Sequence, residues 1–516
     1  MTKPTQADLA ERLAHEQEQA RAMGGEAGLA RHRASGRLPV RERIDLLIDG
    51  ESWFEIGALA KPEYRRERPV PGDAVVTGFG RVDRRQVGVI GIDSSVLAGT
   101  TAPISMRKQG RLIDRAQNAG LPLVLLCDAD GGRIPDVMGY RFSGLPLDFR
   151  TFVQTPAHLP VVPRAAAILG PSYGDSALHA STAHFVVMLD SGSVALSGPS
   201  VVSSAINESL TDAELAGPEP ATATGNAHMV VRTEADAMAA IAGFLSFLPD
   251  NAAQPAPTAT PRDPRLGADT LADTVPTDTR VAYDVNRVIE GIADDGSLFP
   301  WAPNWGPSLV CTLGRIDGAP VGIIANQPQV LAGALDPDAL RKERAFVDLC
   351  DTFNIPLLFL QDVPGLMIGT RAERAGILKA YEELVSRIAN ATVPKIVVIL
   401  RKAYGGGHFA MGGRPTHPDF VFAWPGAEMG FMAPDAGARA AHRRELEALK
   451  DAEGDEAHDR RLEELVTDWA LQSEPWEAAA HLSLDDIIKP DQTRDIVARA
   501  FDIAWGTAPR VRAGLT

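Results

Sequence analysis

The sequence predicts an α/β protein made by tandem duplication of one unit, and three observations carry that reading. Short apolar, β-branched runs separated by glycines alternate with helix-like spans such as Pro103–Asn118. Four blocks then recur in the same order. GRVDRRQVGVIGIDSSVLAG from Gly80 answers GRIDGAPVGIIANQPQVLAG from Gly314, an offset of 314 − 80 = 234, and PLVLLCD from Pro122 answers PLLFLQD from Pro356, again 356 − 122 = 234. RAAAILGPSYGD from Arg164 answers KIVVILRKAYGG from Lys395 (395 − 164 = 231), and HFVVML from His184 answers DFVFAW from Asp419 (419 − 184 = 235). Between the copies lies a Pro-, Ala-, Thr- and Asp-rich stretch, residues 251–280, with the texture of a linker. The expected domains are therefore residues 1–250 and 281–516 joined by 251–280.

Composition bounds the function. A chain of 516 residues with 45% hydrophobic and 23% charged residues is globular and long enough for two cores. No apolar run approaches the roughly 20 residues that span a bilayer, and the N-terminus has no signal-peptide core. A net charge of −16 argues against a nucleic-acid or anionic-membrane surface. Cys127, Cys311 and Cys350 are far apart, so neither a zinc ribbon nor a disulfide framework is expected, and no metal site is. A reducing, cytoplasmic compartment fits.

In chain order, residues 1–36 read as charged helix broken at Gly24-Gly25. Ile44, Leu47 and Ile48 then recur at helical spacing behind Pro39, with Gly50 as the stop. Strand-like runs follow from Gly72: VVTGFGRV, QVGVIGID, PLVLLCD, AAAILG and HFVVML. In the second copy the run Lys395–Leu400 leads to Gly405-Gly406-Gly407, resumes as helix at His408–Met411, and is followed by the apolar run Phe420–Trp424. Strand, glycine turn and helix start aim bare backbone N–H groups at one point, which suits an oxygen that turns anionic during a reaction. The first copy places Gly170–Asp175 and Ser176–His179 at the matching point. There Asp175 stands among the expected donors, and a carboxylate repels a developing oxyanion unless it is protonated or turned away. After Met432 the tail is rich in charge pairs and reads as solvated helix.

The blocks RERIDLLIDGESWFEIG, VTGFGRVDRRQVGVIGID, FVDLCDTFNIPLLFLQDVPG, ATVPKIVVILRKAYGGG and DFVFAWPGAE resemble the carboxyltransferase β subunit of biotin-dependent acyl-CoA carboxylases, the propionyl-CoA and methylcrotonyl-CoA carboxylase type. The similarity runs from about Arg31 to Ala508. The resemblance implies two crotonase-like (ClpP/crotonase) domains, the N-terminal one on the acyl-CoA side and the C-terminal one on the biotin side, in a homohexamer built as a trimer of dimers. It implies transfer of a carboxyl group from carboxybiotin to the α-carbon of an acyl-CoA thioester through an enolate and a ureido anion. By the same resemblance the thioester oxyanion pair falls on Gly174 and Asp175 and the biotin pair on Gly406 and Gly407. Tyr173, Gly131, Gly132, Arg133, His408 and Phe409 fall at substrate-binding positions.

Three departures bear on that. The first pair is Gly-Gly in the family, and Asp175 breaks it. The family's SGGAR reads Ala129-Asp130-Gly131-Gly132-Arg133, and its Tyr-Asp after the second glycines reads His408-Phe409, which implies an altered acyl pocket. Arg107, Lys108 and Arg111, and Lys342 with Arg344, are candidates for the CoA phosphates or simply exposed helix faces. His179 and His408 follow the two turns as candidate proton donors, Asp128 and Asp362 end equivalent strands, and Tyr173 corresponds to Tyr404. The sequence has no biotinyl-lysine motif and no nucleotide-binding glycine loop, so biotin carboxylase and biotin carrier functions must come from partner chains. The alternatives are a decarboxylase of a carboxyacyl-CoA, either biotin-dependent or biotin-independent through Asp175 and His179, and a non-catalytic paralogue.

Overall fold

A computed structural model describes residues 3–64, 70–146 and 161–506 of the chain. Residues 1–2 and 507–516, at the outer ends of the two expected domains, lie outside these. The chain divides into two compact units at Gln254/Pro255.

In the first unit the described strands are β1 (Phe54–Ile56), β2 (Val75–Val82), β3 (Arg85–Ile92), β4 (Leu123–Asp130), β5 (Arg164–Tyr173), β6 (Phe185–Leu189), β7 (Ser193–Ala195) and β8 (Met229–Val231). They form one sheet in the order β1-β2-β3-β4-β5-β6-β8, with β7 on the end of β5. The β1–β2–β3 edge is antiparallel and the rest parallel. Such strands are covered on both faces, which is why they read as continuous apolar runs rather than alternating ones. The helix Pro103–Ala119 covers the β2–β3 hairpin, burying Met106, Leu112, Ile113 and Ala116.

In the second unit the described strands are β9 (Phe299–Pro300), β10 (Leu309–Ile316), β11 (Ala319–Asn326), β12 (Leu357–Val363), β13 (Lys395–Tyr404), β14 (Phe420–Ala423), β15 (Glu428–Gly430) and β16 (Asp486–Ile487). Their order is β16-β14-β13-β12-β11-β10-β9, with β15 on the end of β13. The copies match in register: Gly88 pairs with Leu123 as Gly322 pairs with Leu357, and the ladders β4–β5 and β12–β13 are both irregular near the strand end, at Cys127/Ala129 and at Gln361/Val363. The fold is thus the duplicated α/β unit that the repeats require.

Several expectations are refined. The N-terminal helices Gln6–Arg21 and Gly25–Ala34 break at the glycines, but the helix Val40–Leu47 ends before Gly50. Residues 251–280, read as linker, divide between the units, and the later part is built into the second core: Leu271 is fully buried with Val288 and Ile289. The charged tail is more than a solvated helix. Pro434–Ala441, Arg443–Glu453 and Asp455–Ser473 close on a small core of Ala438, Leu446, Leu462 and Leu465.

At each irregularity a buried acid is clasped by arginine. Asp128 accepts Arg43 Nη1 at 2.8 Å and Arg37 Nη1 at 2.6 Å, while Arg43 Nε also reaches Glu234 at 2.8 Å. Asp362 accepts Arg401 Nε at 3.1 Å and the Lys402 N–H at 3.2 Å. The arginine of β13 aligns with Gly170 of β5, where a Cβ would collide with Asp128 and Arg37. The first unit therefore draws its guanidinium groups from the N-terminal segment instead. Arg43→Leu leaves Asp128 and Glu234 short of a buried partner and should lower the unfolding free energy by about 3 kcal/mol, read as an earlier denaturant transition. An unchanged transition would contradict the assignment.

Candidate functional site

In the second unit β13 runs directly into the helix Gly405–Ala410. Gly405 takes φ 52°, a left-handed value that turns the strand into the helix. The first N–H groups of a helix have no intrahelical acceptor. Among the described residues, those of Gly406 and Gly407 donate to no backbone or side-chain oxygen. A Cβ on Gly407 would lie 2.7 Å from Val363 Cγ2 and 2.9 Å from Gly365 Cα, so only glycine fits. On Gly406 it would meet nothing closer than Tyr381 Oη at 3.4 Å. His408 Nδ1 lies 2.9 Å from Gln361 Oε1, and Gln361 Nε2 donates to the Met411 carbonyl at 2.6 Å. Burial pushes the His408 pKa down to about 4, so its ring is neutral at pH 7. Phe409 is 37% exposed, with its ring centroid 5.7 Å from that of His408.

In the first unit β5 reaches Gly174, φ 66°, and the helix Asp175–Ser181. Tyr173 and Tyr404 hold the same sheet position, paired with Ala195 and Gly430. That fixes the register between the copies: Gly174 matches Gly405, and Asp175 and Ser176 match Gly406 and Gly407. The resemblance puts the first pair at Gly174 and Asp175; in this structure the Gly174 N–H donates to the Leu196 carbonyl at 3.2 Å. The N–H groups equivalent to those of the second turn belong to Asp175 and Ser176. Gly131 and Gly132 do converge on the turn: a Cβ on Gly174 would lie 3.4 Å from Gly131 Cα and 3.8 Å from the Gly132 nitrogen.

Thr101 binds these parts together. It exchanges backbone hydrogen bonds with Gly131 (2.9 Å) and Arg133 (2.7 Å), and its hydroxyl donates to Asp175 Oδ1 at 2.6 Å. Leu335 makes the matching backbone bonds to Gly365 and Met367 in the second unit, without a hydroxyl. Gln109 likewise has Glu343 as its counterpart, 234 positions on, and both are buried polar residues on apolar helix faces. Burial raises the carboxyl pKa of Asp175 and, more strongly, of Glu343. Thr101 and Gln109 were missed in the sequence. The 234-residue offset carried the signal for Gln109, a polar residue that recurs as Glu343 where an apolar one is expected.

Other expected ligand-facing residues turn inward. The Arg133 guanidinium is buried on Asp73 (2.6 Å) and Asp136 (3.3 Å), and it braces the loop rather than facing a ligand. Tyr173 and Tyr404 are buried and donate to Asp212 and Glu428 respectively. Lys108 Nζ binds the Val75 and Gly72 carbonyls, and Lys342 Nζ those of Leu309 and Ala302, so neither is offered to a phosphate. His179 is not the counterpart of His408, since Ala177 aligns with His408. Burial, reinforced by Arg164, lowers the His179 pKa to about 3.

A duplicated α/β unit that ends a buried strand on bare backbone N–H groups is a frame that can hold an oxygen anion. Its kinship makes the class particular: residues 31–512 match the carboxyl transferase domain, and the chain belongs to that family. It is 35% identical over 499 residues to the propionyl-CoA carboxylase carboxyltransferase subunit of Haloferax mediterranei, covering 95% of each chain. It is 34% identical over 498 residues to the methylmalonyl-CoA carboxyltransferase 12S subunit of Propionibacterium freudenreichii subsp. shermanii, covering 96% of this chain and 93% of that one. A crystal structure of transcarboxylase 12S, a hexamer with methylmalonyl-coenzyme A bound, superposes with TM-score 0.90 at 33% identity over 98% of this chain and 96% of that one.

The two turn glycines respond differently to a methyl group. Gly407→Ala should cost about 1–3 kcal/mol through overpacking against Val363 and Gly365, whereas Gly406→Ala should leave thermal stability near wild type. Equal melting temperatures for the two variants would refute the geometry.

Proposed function

We propose that this protein is the carboxyltransferase subunit of an acyl-CoA carboxylase, acting with partner chains that carry and charge biotin. The observation that carries the reading is the pair of unclaimed N–H groups at Gly406 and Gly407, in a turn that excludes any side chain at Gly407. Carboxybiotin, delivered on a separate carrier chain, supplies the activated carboxyl group. The two N–H groups hold the ureido oxygen as charge grows on it, and they do so without reorganising, because the strand and helix fix them beforehand. The Arg401–Asp362 clasp fixes the end of β13 behind them. The neutral His408 adds no positive charge to the turn, and the ring of Phe409 packs beside it.

The first unit takes the acyl-CoA thioester at the matching turn, beside Gly131, Gly132 and Asp175. Transfer runs in either direction through the same two anions, and a hexamer of the 12S kind is the assembly the reading requires. No helix among the described residues is long and apolar enough to cross a membrane. The cytoplasm is the compartment the reading requires.

The test is carboxyl exchange from methylmalonyl-CoA to free biotin by the purified chain. Biotin-dependent loss of the carboxyl group is expected, and Gly406→Val, which fills the cradle, should reduce it by about 100-fold or more while the oligomer persists. Loss of the carboxyl group without biotin, or a Gly406→Val variant as active as wild type, would overturn the reading.

A further inference from the structure

Three buried polar atoms lie unpaired at the turn of the first unit: Asp175 Oδ2, Ser176 Oγ and Gln109 Nε2 have no hydrogen-bond partner among the described residues. Asp175 is 8% exposed and Gln109 is 2% exposed. The N–H groups of Asp175 and Ser176 and the Gln109 amide lie near enough to draw the carboxyl pKa down, but none makes a hydrogen bond of normal geometry. One carboxyl oxygen is thus held by Thr101, and the other is buried without a partner among the described residues. The second unit lacks the whole arrangement, with Gly406, Leu335 and Glu343 in place of Asp175, Thr101 and Gln109. A carboxyl group that arrives with its own hydroxyl partner is a built feature rather than an accident of the turn.

We propose that Asp175 is the oxyanion donor of the first unit: its carboxylic acid is held neutral, accepts the Thr101 hydroxyl on Oδ1, and donates through Oδ2 to the thioester oxygen of the acyl-CoA as the enolate forms. This deepens the carboxyltransferase reading and rests on it. A charged carboxylate at this point repels an enolate, whereas a neutral acid stabilises one. The surroundings favour the neutral form, since burial is the dominant influence on Asp175. From β4 it is faced by the Cys127 thiol, which burial pushes up to about 12. Further along its own helix stands His179, beside Arg164. Arg133 of the adjoining loop is engaged by Asp73 and Asp136, and Lys108, next to Gln109, by the Val75 and Gly72 carbonyls. No cation among these hydrogen-bonds to Asp175.

The sign of the pH dependence follows. The acid form is the working one, so exchange activity should be full below the raised carboxyl pKa and fall as pH rises through it. Asn places an amide N–H where the acid O–H was and keeps an oxygen for Thr101. We expect Asp175→Asn to retain methylmalonyl-CoA–biotin exchange within about threefold of wild type without the alkaline fall, and Asp175→Ala to lose about 100-fold. An inactive but folded Asp175→Asn, or an alkaline fall that persists in it, would overturn the proposal. Difference infrared spectra of wild type minus Asp175→Asn at neutral pH give an independent readout. A carboxylic-acid carbonyl band upholds the neutral acid, and a carboxylate band in its place overturns it. The acid band together with no exchange by wild type would leave Asp175 a neutral acid but overturn the carboxyltransferase reading, and with it the donor role.

Discussion

The buried carboxylate near the end of the third long strand in each unit is the constraint on which the site depends. Asp128 and Asp362 sit where the β4–β5 and β12–β13 ladders lose regular pairing, and irregularities of this kind re-aim side chains. A charge so deeply buried is tolerable only with a paired guanidinium and further hydrogen bonds. Asp362 meets that need with Arg401 and the Lys402 N–H, locking the last residues of β13 before Gly405. Asp128 meets it with Arg37 and Arg43 from the N-terminal segment, because β5 has Gly170 where β13 has Arg401. The same acid is served from two different places, and in each case a strand end is made rigid enough to carry a turn.

What the turns carry has diverged. The second leaves backbone N–H groups open and keeps them open by steric exclusion at Gly407. The first fills the matching position with Asp175 and surrounds it with Thr101 and Gln109. Under the proposed function each turn meets a different anion, and the divergence suits that. An oxygen anion can be met by two backbone dipoles or by a neutral acid.

The architecture was legible in the sequence because four blocks recur at nearly one offset and both-face burial writes parallel strands as plain apolar runs. The turn at Gly405–Gly407 was legible for a similar reason, since a glycine triplet between a strand and a helix marks a tight turn and the duplication gives that turn a counterpart. The register of the first turn was not. The resemblance set the first pair at Gly174 and Asp175, whereas the sheet pairing of Tyr173 with Ala195 and Tyr404 with Gly430 matches Asp175 and Ser176 to Gly406 and Gly407. The lysines misled because a long side chain on an amphipathic helix can turn inward to cap carbonyls, and periodicity does not distinguish this from exposure. Residues 251–280 looked like a linker by composition, but Leu271 and Val275 seat part of that stretch in a core. Thr101 and Gln109 act through tertiary contacts with Asp175 from more than 60 residues away, beyond any local pattern.

The central claim is that the Gly406 and Gly407 N–H groups form the seat of the biotin ureido oxygen. Its most direct test is a crystal structure of the chain soaked with biotin. The account predicts the ureido oxygen within about 3 Å of both nitrogens, with Tyr381 and Leu366 alongside. A bound biotin whose ureido oxygen meets neither N–H would contradict it.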